Sequence, residues 1–323
     1  MYDDLLDKRI LVTGGAGFIG STLCRRLVAL GARSVRIVDN FSTGTRDNIS
    51  GLAIEVIEGD IRDIATVERA VDGVEVVFHE AAQINPAKAV EEPLFDFAVN
   101  VTGTVNLLFA AIRSGTVRRF LMASTNLYAS ADIAVAVETV PVLALRKTLL
   151  SPYAAAKASA ECYLKVAADE YGLETVRLRY SNVIGPGQLT KSESGVVALF
   201  TEWAFAGEPL KVFGAGAQRR DFVHVDDVVT ANLLGAVVSE ATGEVFNVGV
   251  GIETSILELA EWIRADSGCD TKIVHLPERR ADFLRANIDL AKSAAVLGYK
   301  PTISPREGVR QYVDWYRNTK LPR

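Results

Sequence analysis

Tyr153 and Lys157 stand four residues apart in "SPYAAAK", directly behind a Ser-Pro pair. Ser151 is a residue type that caps free helix amides and Pro152 suits a first turn, so the spacing predicts a helix carrying Tyr153 and Lys157 on one face. Such a pair can move a proton. A phenol with a pKa of about 10 is a poor base at neutral pH, but an ammonium one turn away favours the phenolate. The same pair can equally be a packing or surface contact, and the stretch taken alone does not separate the two.

A second group of residues is suited to holding phosphate. "TGGAGFIGS" sets Gly14, Gly17 and Gly20 at three-residue spacing, with Phe18 and Ile19 between them, after an apolar strand and before a helical pattern. Small residues there let the backbone turn tightly, let a pyrophosphate approach and let a helix N-terminus aim its amides at the anion. Asp39 follows nineteen residues after Gly20, at the end of the next apolar run. A carboxylate at that place accepts the hydroxyls of an adenosine ribose and repels a 2′-phosphate, which selects NAD over NADP. "GDIRD" places Asp60 and Ile61 at a third strand end, where an adenine edge is met or where Asp60 merely caps a helix.

These residues need a parallel sheet to hold them. "RILVT", "VRIVD", "IEVIEG", "VEVVFH", "RFLMAS" and "TVRLRY" read as buried strands, separated by helical patterns such as "FIGSTLCRRLVALG", closing on Gly31, and "LFDFAVNVTGTVNLLFAAIRSG", closing on Gly115. Strand, helix, strand at this interval means right-handed βαβ units, hence an α/β fold with a Rossmann-type doubly wound parallel sheet. After Tyr180 the rhythm breaks at "GPGQ" and "FGAGAQ", around a helix at "VVALFTEWAFAG". Ser255 and Glu258 have capping-box spacing at "TSILE", and a further helix opens at "SPREG". The expected division is an NAD-binding part over 1–180, with 221–248 returning to it, and a smaller C-terminal lobe that makes up most of 181–323.

Composition excludes several classes. The 323 residues are 49% hydrophobic, ample for a large core, and no run of about eighteen apolar residues is evident by eye. The start "MYDDLLDKRILVTGG" is acidic where a secretion signal is basic, so a cytoplasmic protein is expected. A net charge of −5 gives no general attraction for nucleic acid or an anionic membrane, and neither is expected as a partner. Cys24, Cys162 and Cys269 lie far apart without metal-ligand spacing and are expected to be buried thiols. His79, His224 and His275 form no ligand trio and are assigned structural places.

Together "TGGAGFIG", "DNFSTG", "GDIRD", "HEAAQ", "NVTGT", "SPYAAAK", "LRYSNVIGPGQ", "RRDFVHVDD" and "FNVG" resemble, in order, the extended short-chain dehydrogenase/reductase family, in its nucleotide-sugar epimerase and dehydratase branch. The resemblance runs through nearly the whole chain. It implies bound NAD, contacted also by Asn40, Ser42, Thr43, Gly44, Ala81, Ala82, Gln83 and Asn100. It implies that Tyr153 is the base, that Lys157 also holds the nicotinamide ribose, and that a hydroxyl from "FLMASTNLYAS" completes the set. That stretch is one residue shorter than the family's usual form. Counting from the strand selects Thr125, and counting back from Tyr128 selects Ser124; the strand count is preferred because strands fix positions more firmly than loops.

The resemblance further implies a nucleotide-sugar substrate, UDP-linked, touched by Asn182, clamped at its diphosphate by Arg220 and Arg279, and held at its ribose by Asp282. Ala286 would lie near the sugar, where a small residue leaves room for a 2-acetamido group. Dehydrating relatives carry an acid just after the catalytic hydroxyl, whereas here Asn126 and Leu127 follow. Simple 4-epimerisation of a UDP-hexose through a transient ketone is therefore expected. The alternatives are a dehydratase, a uronate epimerase, a reductase, or an NAD-binding sensor without catalysis. A homodimer through a four-helix bundle, built from helices around 94–113 and 152–171, is also implied.

Overall fold

β1 (Arg9–Thr13) is buried at every residue but its first, as expected of an apolar run covered on both faces of a sheet. β2 (Ser34–Asp39), β3 (Glu55–Glu58), β4 (Val76–His79), β5 (Arg119–Thr125), β6 (Glu174–Tyr180) and β10 (Val245–Val248) join it in a seven-stranded sheet of order β10-β6-β5-β4-β1-β2-β3. Every pairing in this sheet is parallel. The fold is of the doubly wound Rossmann type. β1 has β2 on one side and β4 on the other, so the strand order reverses there and opens a crevice at the carboxyl ends of the strands. The computed structural model describes residues 2–126, 135–139, 151–189, 195–278, 285–286 (backbone only) and 288–321.

Two apolar layers cover the sheet. Leu23 and Leu27 of the helix Phe18–Ala29 pack with Val228 and Leu233 of the helix Val225–Val237 on one face. Val67, Leu107, Leu108, Ala160 and Leu164, from the helices Ile64–Val71, Pro93–Ser114 and Pro152–Tyr171, cover the other. Each buried Leu or Val contributes roughly 1.5–3 kcal/mol relative to exposure. The edge strand β3 departs from the expectation of a buried strand: only Ile57 is covered, because β3 pairs with β2 alone.

The expected helix ends are set by their own sequences. Ser151 accepts from the amide of Ala154 at 3.2 Å, and Ser304 from that of Glu307 at 3.2 Å. Ser255 and Glu258 form a reciprocal capping box at 3.1 and 2.8 Å. Gly115 ends the helix Pro93–Ser114 with φ of 64°, a left-handed turn that glycine adopts without strain. That helix is long and apolar enough, by composition, to cross a membrane, and half of its most apolar window is buried within the protein.

A third apolar cluster gathers the helices Val196–Phe205, Ile256–Ser267 and Pro305–Lys320 around Leu210, Val212 and Phe222. Smaller sheets attach it to the rest. β9 (Arg219–His224) pairs with β7 (Asn182–Ile184), β11 (Glu253–Ser255) and β13 (Arg285–Ala286), while β8 (Leu210–Phe213) pairs with β12 (Ile273–Leu276). The segment 221–248 thus divides, its first strand lying in a small sheet and its last in the large one. The expectation of three buried thiols is corrected: Cys24 is buried, Cys269 is partly covered and Cys162 is exposed. Cys162 falls between the inward-facing Ala160 and Leu164, on the outer side of its helix.

Candidate active site

The crevice at the carboxyl ends of the strands is a cleft of about 580 Å³. Its floor is the glycine turn. Gly14 takes φ of 65°, and a Cβ on Gly20 would come within 2.2 Å of the Gly14 carbonyl oxygen, so only glycine permits this turn. The helix Phe18–Ala29 begins at Gly17 with no side chain capping it, which leaves its first-turn amides for an anion. Phe18 and Ile19 line the same wall.

Asp39 stands beside this turn at the end of β2. Its two oxygens accept from the amides of Ala16 at 2.9 Å and Phe41 at 2.8 Å. Burial raises its pKa, and those two amide bonds oppose the rise. Asn40, Ser42, Thr43, Asp60, Ile61, Ala81, Ala82 and Gln83 also line the cleft. Asp60 is held by Arg62, at 2.9 and 2.8 Å, and by Asn40 at 2.9 Å; with Arg62 as the main cause its pKa falls to about 2. Gly44 supports the cleft from behind, since a Cβ there would lie 2.6 Å from the Ala16 backbone.

Asn100 also acts from behind. Its side chain accepts from the Gln83 amide at 3.0 Å and donates to the Gln83 carbonyl at 2.9 Å, clamping the segment after β4 much as a neighbouring strand would. A second donation, to Asp96 at 2.9 Å, holds the amide in place. His79 accordingly takes the structural place expected of it. Its ring bridges Thr13 at 2.7 Å and Thr104 at 2.8 Å, and burial pushes its pKa down to about 3, so it is neutral.

Tyr153 and Lys157 occupy the first two turns of the helix Pro152–Tyr171, both buried. Thr125 and Ser124 part company at the end of β5. Ser124 points to the helix layer with Phe120 and Met122, as strand alternation requires, and donates to Glu161 at 2.6 Å. Thr125, the next residue, forms a hydrogen bond with Tyr153. Burial and then the Asp96 charge push the Tyr153 pKa above its ordinary value, against the Thr125 hydrogen bond. The Lys157 ammonium donates to the Ala123 carbonyl at 3.0 Å, and burial pulls its pKa down to about 8 against Glu80, Asp96 and Glu161. The simple expectation that Lys157 lowers the Tyr153 pKa is thus outweighed here by the dryness of the site.

Asn182 and Arg220 are not among the residues that line this cleft: Asn182 of β7 donates to the Asp221 carbonyl at 3.0 Å, and Arg220 of β9 donates to the Arg219 carbonyl at 2.8 Å. The backbone of Ala286 lies opposite Arg220 in the β13–β9 pairing. Arg279 and Asp282 lie outside the described residues, as do Leu127 and Tyr128. Sequence reasoning overlooked Glu80, Arg62, Lys88 and Phe95, all of which line the cleft. For Glu80 a signal existed: a charged residue at the carboxyl end of a fully buried parallel strand faces the ligand edge. Among the described residues no group of His, Cys, Asp and Glu is placed to hold a metal.

The sequence profile of the NAD dependent epimerase/dehydratase family matches residues 10–249. The chain belongs to this family. A UDP-glucose 4-epimerase of Mycolicibacterium smegmatis is 39% identical over 317 residues, which cover 96% of this chain and 99% of that one. The solved UDP-glucose 4-epimerase of Thermotoga maritima, with UDP-glucose, is 39% identical with a TM-score of 0.88, covering 97% of this chain and 100% of that one. That of Thermus thermophilus, in complex with NAD, is 36% identical with a TM-score of 0.87, covering 96% and 99%. The cofactor of this epimerase/dehydratase family member is NAD, and the residues present fit it. The glycine turn admits no side chain, the helix start above it has no side-chain cap, and Asp39 stands at the cleft wall.

Proposed function

We propose that the protein is a UDP-hexose 4-epimerase. One observation carries the reading: Thr125 meets Tyr153 beside the cleft, and the residue that follows is the amide Asn126 rather than an acid. Bound NAD supplies reversible hydride acceptance, which lets a sugar carbinol become a ketone and be reduced again on its other face. Tyr153 holds the proton of the sugar hydroxyl, and Thr125 orients that oxygen as it changes from alcohol to carbonyl. Lys157, anchored on Ala123, orients the cofactor ribose with its remaining donors. An acid after Thr125 would give elimination a proton donor; Asn126 has no proton to transfer, which leaves the ketone to turn and return to an alcohol.

Asp39 selects NAD at the adenosine end. Asn182 and Arg220 serve the nucleotide-sugar, together with Arg279 and Asp282, while Ala286 leaves space beside the sugar. In this reading residues 1–180 with 221–248 bind the cofactor, and most of 181–323 closes over the substrate. The enzyme is a cytoplasmic homodimer. Support for the dimer comes from Leu94 and Phe97 on one helix and Tyr163, Val166 and Tyr171 on the other, all apolar or aromatic and exposed. Sedimentation at micromolar concentration tests the dimer.

The activity is tested by incubating the protein with UDP-, dTDP-, CDP- and GDP-hexoses and resolving the products by NMR. A C4 epimer of the UDP-sugar without net NADH is the expected product. A deoxy-ketosugar or stoichiometric consumption of added NADH would instead assign a dehydratase or a reductase.

A further inference from the structure

Glu80 is a carboxylate of the cleft wall to which the proposed chemistry gives no part. Glu80 follows β4 directly and lines the cofactor cleft between Gly14 and Gln83. Its Oε1 accepts from the Tyr180 hydroxyl at 2.8 Å, and the Tyr180 oxygen accepts in turn from the Asn232 amide at 2.8 Å. A carboxamide NH₂ only donates, so this chain has one direction: Asn232 gives to Tyr180, and the Tyr180 proton is committed to Glu80. The other carboxyl oxygen, Oε2, is buried and has no hydrogen-bond partner among the described residues. A network reaching from the helix Val225–Val237 through the end of β6 thus fixes one oxygen of Glu80 and leaves the second at the wall of the cleft.

We propose that Glu80 is a positioning residue for the Tyr153–Lys157 pair: held by Tyr180 and Asn232, its unbonded oxygen supplies the negative charge that keeps Lys157 an ammonium. This rests on the proton chemistry proposed above. Lys157 donates to the carbonyl of Ala123, the residue after Met122, and Met122 is paired with His79, the residue before Glu80, so Glu80 and the Lys157 anchor lie at neighbouring strand ends. Of the three carboxylates that act on Lys157, Glu80 acts most strongly. Glu161, on the same helix, is already neutralised by a buried two-pronged pair with Arg179 at 2.7 and 3.0 Å. Asp96, from the helix Pro93–Ser114, has one oxygen occupied by Gln83 at 2.7 Å and Asn100 at 2.9 Å; its second oxygen is buried without a partner among the described residues, as in Glu80, but it acts less strongly on Lys157. The remaining neighbours carry no charge to compete: His79 on β4 is neutral, and burial holds Tyr153 and Tyr180 above their ordinary pKa. Burial pushes Glu80 itself up to about 7, against the Tyr180 hydrogen bond and the Lys157 charge. The counter-charge is therefore present above neutrality and lost below it.

The test is the pH dependence of kcat/KM for wild type, Glu80→Gln, Tyr180→Phe and Tyr153→Phe. It is accompanied by infrared titration of protonated carboxyl bands, which needs no turnover. Wild type should carry a carboxyl band that titrates near pH 7 and should lose activity only on the alkaline side, as Lys157 gives up its proton. Glu80→Gln should lack the band, and its alkaline limb should move down by about one pH unit as Lys157 gives up its proton earlier. Tyr180→Phe, which keeps the acid but removes its donor, should move the band to higher pH and the alkaline limb down. Superimposable limbs in wild type and Glu80→Gln, with Tyr153→Phe inactive, would overturn the role of Glu80 and leave the proton chemistry standing. An active Tyr153→Phe would overturn that chemistry itself. If Glu80→Gln does not fold, unmoved limbs and an unmoved band in Tyr180→Phe overturn the proposal.

Discussion

Thr125 and Tyr153 share a hydrogen bond, while Ser124, one residue earlier on the same strand, donates to Glu161 at 2.6 Å. Adjacent residues on a strand face opposite ways, so only one of the two hydroxyls can reach the site. Thr125→Ala should lower kcat by roughly 10²-fold or more with little change in melting temperature. Ser124→Ala should do the reverse, costing about 1–3 kcal/mol of stability through a buried carboxylate that loses a donor, with modest effect on kcat. Opposite assignments of the two effects would exchange the roles.

Tyr153→Phe removes only an oxygen and its proton. Turnover should fall by about 10²–10⁴-fold while NAD binding, followed by calorimetry, stays within error. Lys157→Ala should damage both, because its ammonium is anchored beside the cofactor site on the Ala123 carbonyl.

At the adenosine end, Asp39→Ala should weaken NAD binding and narrow the preference for NAD over NADP by relieving the repulsion of a 2′-phosphate. The ratio of the two dissociation constants is the measurement. A variant that keeps the wild-type ratio would place the discrimination elsewhere.

The pairing of β13 with β9 puts the Ala286 backbone beside Arg220, which the proposed function assigns to the nucleotide-sugar. UDP-GlcNAc or UDP-GalNAc should be turned over alongside the plain hexoses, and Ala286→Tyr should reduce kcat/KM for the acetamido sugars selectively. Equal loss on acetamido, plain and uronate sugars would show that this position does not select the sugar.

Stability should carry the mark of Glu80. Its folded-state pKa of about 7 lies above the ordinary 4.5, so the folded state holds the extra proton between those values. The group is neutral toward stability below pH 4.5, and its desolvation cost builds as the pH rises from 4.5 to about 7 and is constant above that. Lys157, depressed to about 8, opposes this only at higher pH. Glu80→Gln should therefore gain on wild type in melting temperature between pH 5 and pH 7.5, by an amount equivalent to about 1–3 kcal/mol. A gap that stays constant with pH contradicts the buried carboxyl.

What the sequence determined by itself was local. The turn at Gly14, Gly17 and Gly20, the capping box of Ser255 and Glu258, and the left-handed stop at Gly115 each depend on residues a few positions apart. Their conformational preferences are written in the side chains, or in the lack of one. The regular exchange of apolar runs and helical patterns was likewise enough for a parallel sheet. Only the tertiary structure decided which of two neighbouring hydroxyls meets Tyr153, because both partners lie on the helix Pro152–Tyr171: Glu161, two turns along it, takes Ser124, while its first turn brings Tyr153 to Thr125. Only it showed that Asn100 serves the cleft from behind, by clamping Gln83, and that Cys162 faces outward. Glu80 is the clearest case: its partner Tyr180 lies 100 residues along the chain, and Asn232 lies 52 further. A carboxylate at a strand end is legible as a residue, but its charge depends on burial and on donors from distant segments, which only the closed fold brings together.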